Sequence, residues 1–402
     1  MKNDKINVLM GMDSYYPIVD GVSETMHNYL TEINKQHHKA IGLAPKIDKK
    51  YKDNFPYNIY RCKSIFIPIY NNCYPTPNLD RKLKKELNEQ KIDIIHLHSP
   101  FAICKFGTKL AKKRCLPVVA TFHTKFRPAF KEKLKSNRLT EMVMRKIGKA
   151  MNKMNEVFVA NESIVEELRS YGYHGKVTYM PLGTEWQRNS DNATLNKIAN
   201  TEFNIKAQEI VFIYVGRIEK VKNINFTLDA LAELKKTFNN FKFLIVGTGI
   251  YLPQLKQEVE HKKLTENVIF TDFVERELLP AIYSRADVLL FPSPFDTLGL
   301  VKIEASAFNT PTLTIEDTCV SYGIKDNENG YLIKNTVKDY ANKISEIIKD
   351  KTKLRQVGKN AGKTFYCSWE DASNKLLKRY TELIEENKEK YRIKKIGKLN
   401  EY

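Results

Sequence analysis

The stretch Ile210-Val-Phe-Ile-Tyr-Val-Gly-Arg-Ile-Glu-Lys-Val-Lys-Asn223 runs from six apolar residues through a glycine into a cationic turn. Phe226, Leu228, Leu231 and Leu234 then recur at helical steps. A short buried strand followed at once by an amphipathic helix is half of a parallel β-α-β unit. The alternation continues outward both ways. Upstream lie Ile6–Met10, Ile41–Leu43, Ile92–Leu97, Val118–Phe122, Val157–Ala160 and Val177–Met180; downstream lie Phe241–Val246, Val268–Phe270, Val288–Phe291 and Thr312–Thr314. The fold class is therefore α/β, with parallel sheets covered by helices on both faces.

At 402 residues the chain exceeds one ordinary core. The alternation pauses at Pro181-Leu-Gly-Thr-Glu-Trp-Gln-Arg-Asn-Ser-Asp191, which reads as a linker between nearly equal halves. The expected domains are 1–185, 186–365, and a C-terminal segment 366–402 of long amphipathic helix. Its basic tail carries Arg392, Lys394, Lys395 and Lys398. Open parallel sheets bind ligands at the carboxyl ends of their strands, so the residues that follow each strand are the ones to inspect.

No apolar run reaches the roughly 18 residues of a spanning helix. The stretch Met1–Met10 reads as a first strand rather than a secretory signal. The six cysteines form no Cys-x-x-Cys pair and read as reduced thiols of a cytoplasmic protein. The net charge is +19, and residues 1–185 hold 32 Lys and Arg against 18 Asp and Glu. That excess suits a nucleic acid, an anionic membrane surface or a phosphorylated substrate, and equally a lysine-rich composition. No helix-turn-helix, zinc-ligand or RNP pattern accompanies it, which argues against nucleic acid. The basic segment Lys131–Lys153 lines up Leu139, Met142, Val143, Ile147, Met151 and Met154 on one helical face. It reads as a domain helix packing on the sheet, or as one that rests on anionic lipid.

Two motifs carry chemistry in the second half. In Phe291-Pro-Ser-Pro-Phe-Asp-Thr-Leu-Gly-Leu-Val-Lys-Ile-Glu-Ala305 a strand gives way to a loop and then a helix near Gly299. The amides of Leu298, Gly299 and Leu300 would form an anion-binding helix start. Asp296 and Glu304, eight residues apart, would meet different parts of one ligand. In Val215-Gly-Arg-Ile-Glu-Lys-Val-Lys-Asn223, Gly216 permits a sharp turn, and Arg217 and Lys222 could neutralise a diphosphate leaving group.

Together these motifs resemble the family 4 glycosyltransferases, whose GT-B fold sets two Rossmann-like domains facing across a cleft. The family's Glu-x7-Glu stands here as Asp296 and Glu304, with the first carboxylate one methylene shorter. The resemblance implies that Arg217 and Lys222 hold the donor diphosphate, that Glu304 binds ribose hydroxyls and that Asp296 binds the donor sugar. Gly216, Phe273, Leu298, Gly299 and Leu300 complete the donor set. Asp13-Ser-Tyr-Tyr-Pro-Ile-Val-Asp-Gly-Val-Ser23 resembles the family's glycine loop, in which Gly21 would approach the donor phosphate. The chain is similar to the family along nearly its whole length, including a C-terminal helix at Ser368-Trp-Glu-Asp371 that crosses back to the first domain.

Ile95-His-Leu-His-Ser-Pro100 and Thr121-Phe-His-Thr-Lys-Phe-Arg127 each end a strand. His96 and His98 are read as pointing to opposite faces, hence poor joint metal ligands. His123 matches the family's histidine near the reacting sugar, and His98, Thr124, Lys125 and Arg127 are placed on the acceptor side. Lys125 and Arg127 would suit a phosphate-bearing acceptor.

The resemblance implies a retaining, metal-independent hexosyltransferase that needs no cofactor and uses a nucleotide-diphosphate sugar, UDP-sugar favoured. Its acceptor is expected to be lipid-linked or a cell-envelope glycan at the inner membrane face, where the enzyme sits peripherally. A diacylglycerol glycosyltransferase is the alternative, and a basic nucleic-acid-binding protein the alternative from another class. Gly358-Lys-Asn-Ala-Gly-Lys-Thr364 imitates a phosphate loop but lies in a helical context and is set aside.

Overall fold

The structure, a computed structural model, describes residues 5–48, 50–67, 72–188 and 192–399. The last part of the expected linker, residues 189–191, lies outside them. So do residues 400–402 of the basic tail and the side chains of Lys394, Lys395 and Lys398. The chain forms two compact units, one of Met1–Leu182 with Trp369–Tyr402 and one of Gly183–Ser368.

The first unit carries strands β1 (Asn7–Gly11), β2 (Lys39–Pro45), β3 (Ile59–Cys62), β4 (Ser64–Ile67), β5 (Asn72–Pro75), β6 (Ile94–Leu97), β7 (Val118–Thr121), β8 (Glu156–Val159) and β9 (Val177–Tyr179). Its helices are α1 (Gly21–Lys35), α2 (Arg81–Asn88), α3 (Ala102–Arg114), α4 (Phe126–Leu134), α5 (Asn137–Met151) and α6 (Val165–Ser170). Seven strands form one sheet in the order β3-β2-β1-β6-β7-β8-β9. Each neighbouring pair in it is parallel. β4 and β5 form a separate antiparallel pair. The strand order reverses between β1 and β6, which makes their carboxyl ends the switch point where such sheets take ligands.

The second unit carries β10 (Ile210–Val215), β11 (Phe241–Val246), β12 (Val268–Asp272), β13 (Val288–Leu290), β14 (Thr312–Ile315) and β15 (Tyr331–Ile333). Its helices are α7 (Asn192–Glu202), α8 (Ile224–Lys235), α9 (Leu252–His261), α10 (Leu279–Arg285), α11 (Leu300–Ala307), α12 (Val337–Lys349) and α13 (Lys351–Phe365). The sheet order is β12-β11-β10-β13-β14-β15, again with parallel pairs. Its switch point falls between β10 and β13. Both chemical motifs of this half therefore start at that point: Gly216 follows β10, and Phe291 follows β13.

The continuous apolar runs explain the strands. All six residues of β10 are buried, as a strand covered on both faces requires. Leu228, Leu231 and Leu234 of α8 are buried beside them. Fully burying one such side chain stabilises by about 1.5–3 kcal/mol.

α14 (Trp369–Leu399) packs on the first unit. The Trp369 ring meets Tyr29 edge-on at 5.2 Å, and the Arg379 guanidinium lies 2.6 Å from the Glu156 carboxylate. Glu156 is fully buried, and Lys176 also approaches it at 3.5 Å, so Arg379 is the nearer of two cations that compensate this charge.

α5 buries Thr140, Met144, Ile147, Gly148 and Met151 and leaves Leu139 and Met142 exposed. It is thus a packed domain helix whose buried stripe is rotated from the expected one. The phosphate-loop imitation lies inside α13, without a strand before it.

Candidate active site

At the end of β10 the backbone of Gly216 takes φ +145, and that of Gly247 after β11 takes φ +128. A Cβ on Gly247 would come within 2.1 Å of the Gly216 carbonyl oxygen, so the two loops pack backbone to backbone. The chain then turns through a short 3-10 segment, Lys220–Lys222, into α8. This places the Lys222 Nζ 2.7 and 2.9 Å from the two oxygens of Asp296, in the loop after β13. Both side chains are mostly buried, so the pair is better shielded than a surface ion pair. Arg217 lies on the outside; its guanidinium donates to Glu219 at 2.7 Å.

Asp296 is followed by Gly299, at φ +70, and then by α11. The N-cap of α11 is Gly299, which has no side chain with which to cap the helix, so its first amides can serve an anion. Within α11, a Glu304 carboxylate oxygen accepts from the Tyr283 hydroxyl at 2.6 Å. Burial and the nearby Glu304 charge push the Tyr283 phenol well above its usual range, so it stays a donor. Tyr283 was not singled out in the sequence, because it lies on α10, 21 residues from its partner.

Lys302 likewise carries no mark in the local sequence. It is buried on α11, and its Nζ donates to the carbonyls of Val320 and Tyr322 while lying over the Phe365 ring. Burial lowers its pKa to about 8. Phe273, after β12, has its ring largely exposed. Leu298 and Leu300 are half-buried around Gly299.

In the first unit, Gly21 opens α1 and is exposed. The amides of Val22 and Ser23 donate to Asp20, so the helix start is already capped by a carboxylate. The loop after β1 is anchored by half-buried Asp13, whose carboxylate accepts from the Ile103 amide at the start of α3.

The histidine geometry corrects the sequence reading. The His96 and His98 rings lie together, with centroids 4.2 Å apart. Residues two apart on a strand share a face, so the expectation of opposite faces fails on parity alone. The His98 Nδ1 lies 2.9 Å from the His123 Nε2, with the rings stacked. Burial lowers the pKa of His123 to about 3 and holds His98 well below the usual imidazole range.

Thr124 and Lys125 follow, half-buried, at the start of α4. Arg127 donates to Glu141 and Glu167, each at 2.8 Å, and lies over the Tyr171 ring. Two carboxylates neutralise it. Its charge is spent on joining α4, α5 and α6, which departs from the expected role of a phosphate-seeking cation.

The comparisons with known proteins agree with this architecture. A family model described as "Glycosyltransferase Family 4" matches residues 19–188, and one described as "Glycosyl transferases group 1" matches residues 197–364. The alpha-monoglucosyldiacylglycerol synthase of Acholeplasma laidlawii is 25% identical over 86% of this chain and 87% of its own. A synthase of the same name from Streptococcus pneumoniae is 25% identical over 75% and 69%. Among solved structures, HepE of Anabaena in complex with UDP superposes with a TM-score of 0.74 at 15% identity, covering 94% of this chain and all of that one. The sucrose-phosphate synthase of Thermosynechococcus elongatus gives a TM-score of 0.75 at 20% identity, over 94% and 99%. With one family model on each half and the GT-B fold throughout, the chain belongs to the family 4 glycosyltransferases.

Proposed function

We propose that this glycosyltransferase moves a hexosyl group from UDP-glucose or a related UDP-sugar to the hydroxyl of a membrane lipid, with retention of anomeric configuration and without a metal. The single observation that carries the donor half is the Lys222–Asp296 ion pair, set at the β10/β13 switch point beside the Gly299 start of α11. A bound nucleotide-sugar offers each partner a replacement: diphosphate for Lys222, sugar hydroxyls for Asp296.

In this reading Arg217, Lys222 and the amides of Leu298, Gly299 and Leu300 stabilise the charge that builds on the departing diphosphate. Glu304, steadied by Tyr283, binds the ribose hydroxyls, and Phe273 lies at the nucleotide end. Gly21 approaches the donor phosphate, and neutral His123 hydrogen-bonds the sugar. The acceptor hydroxyl attacks the face from which the diphosphate leaves, and a donor phosphate oxygen takes its proton.

Two kinds of lipid acceptor compete. A polyprenyl-phosphate-linked glycan would want cations near Thr124 and Lys125, but Arg127 is already neutralised. That favours an uncharged acceptor, diacylglycerol, which also appears in the names of the two synthases above. Peripheral contact with an anionic bilayer fits the exposed Leu139 and Met142 of α5 among Arg138, Arg145, Lys146 and Lys149. Among the described residues no helix is long and apolar enough to cross a membrane.

The test is a thermal-shift screen of UDP-, GDP- and ADP-sugars, since a ligand of the folded state raises its apparent stability by mass action. Stabilisation by UDP-sugars alone is expected. Stabilisation by GDP- or ADP-sugars instead would reassign the donor.

A further inference from the structure

Three imidazoles of the first unit lie in contact at the carboxyl ends of β6 and β7. His96 is gripped at both nitrogens: Nδ1 lies 2.6 Å from the Tyr380 hydroxyl of α14, and Nε2 lies 2.7 Å from the Thr121 hydroxyl. His98 lies against His96, its ring tilted by 33° and only 3% exposed. Its Nδ1 contacts the His123 Nε2 at 2.9 Å. Its other nitrogen, Nε2, is buried and meets no hydrogen-bond partner among the described residues.

That orphaned nitrogen decides where the protons are. Burial keeps both His98 and His123 neutral, so each ring carries one proton. If the His123 Nε2–H donated, the His98 proton would sit on Nε2, a buried donor with nothing to receive it. If the His98 Nδ1–H donates, Nε2 keeps only a bare lone pair. Among backbone groups orphaned buried N–H donors are rarer than under-satisfied acceptors, and we extend the same preference to the imidazole.

We infer that His98 is the positioning residue for His123: its Nδ1–H donates to the His123 Nε2, fixing the His123 proton on Nδ1 and the plane of its ring. His96, held between Thr121 and Tyr380, is the shelf on which His98 rests. The sequence of contacts gives α14 a part in the geometry of His123 through Tyr380. The effect on rate rests on the proposed contact between His123 and the donor sugar; the tautomer does not.

The experiment is nitrogen-15 NMR of histidine-labelled full-length protein, which separates Nδ1–H from Nε2–H imidazoles, read beside transfer kinetics. The parent is expected to show His123 in the Nδ1–H form alone. His98→Phe keeps a ring on His96 but removes the donor. It is expected to mix the His123 tautomers and lower kcat about ten- to a hundred-fold, the effect of losing one orienting buried hydrogen bond, with donor KM unchanged. His98→Gln, whose amide can donate, should restore a single tautomer and most of kcat. An Nε2–H form of His123 in the parent overturns the inference without any variant having to fold. So does a His98→Phe protein with a single tautomer and parental kcat. If His123→Ala transfers sugar as the parent does while the parent shows Nδ1–H, the positioning stands and the sugar contact falls.

Discussion

Lys222 and Asp296, 74 residues apart in the chain, meet in the second unit with the ammonium 2.7 and 2.9 Å from the two carboxylate oxygens. Each charge is held in place by the other before any substrate arrives. Removing one partner therefore disturbs the second, and their roles separate only in kinetics. Lys222→Ala is expected to lower kcat about a hundred-fold or more, as for loss of one group that stabilises leaving-group charge. Asp296→Asn should raise the donor KM more than it lowers kcat. Steady-state transfer from UDP-glucose checks both, and parental kcat in Lys222→Ala would remove the lysine from the chemistry.

Tyr283→Phe tests the support of Glu304. The phenol donates to the carboxylate at 2.6 Å, and without it the carboxylate keeps its charge but loses its orientation. Losing a hydrogen bond to a charged group costs about 1.5–3 kcal/mol. UDP should bind about ten-fold more weakly by calorimetry, with an unchanged product. Parental affinity would mean that Glu304 does not touch the nucleotide.

Gly299→Ala places a side chain at φ +70, where a Cβ lies 3.1 Å from the Phe291 ring. The backbone strain alone costs about 1–2 kcal/mol. Lower thermal stability of the second unit and weaker UDP binding should appear together, because the same residue shapes the start of α11. Loss of stability with full UDP affinity would detach the helix start from the phosphate.

Acid should destabilise the first unit through His96. Its folded pKa is lowered to about 3 by burial, against 6.5 when exposed. The unfolded chain thus takes up a proton that the folded chain refuses, so this stabilisation is complete above pH 6.5 and is lost as pH falls toward 3. The loss between pH 7 and 5 is about 2 kcal/mol. Urea unfolding of Trp186→Phe, followed by Trp369 fluorescence, should show it, and His96→Asn should flatten the slope. Equal slopes with and without His96 would mean that it titrates in the folded state.

The sheets were legible where apolar runs were continuous. β10 and β11 match the sequence reading residue for residue, because strands buried on both faces must be apolar throughout. β3 and β15 were missed: both are short edge strands, and Arg61 breaks the apolar run in β3. Lys222 and Asp296 were visible because each follows a switch-point strand. Tyr283, Lys302 and the neutralisation of Arg127 were not, since each depends on contacts between elements that carry no mark in local sequence. The histidines were visible as residues and misread in direction, and only the structure shows His98 pairing with His123.

The most direct test of the account is the anomeric configuration of the product formed from UDP-glucose and diacylglycerol in mixed micelles, in the presence of a chelator. An α-linked glucolipid is expected from the parent and almost none from Lys222→Ala. A β-linked product, or transfer that depends on Lys222 yet stops when divalent metal is removed, would contradict it.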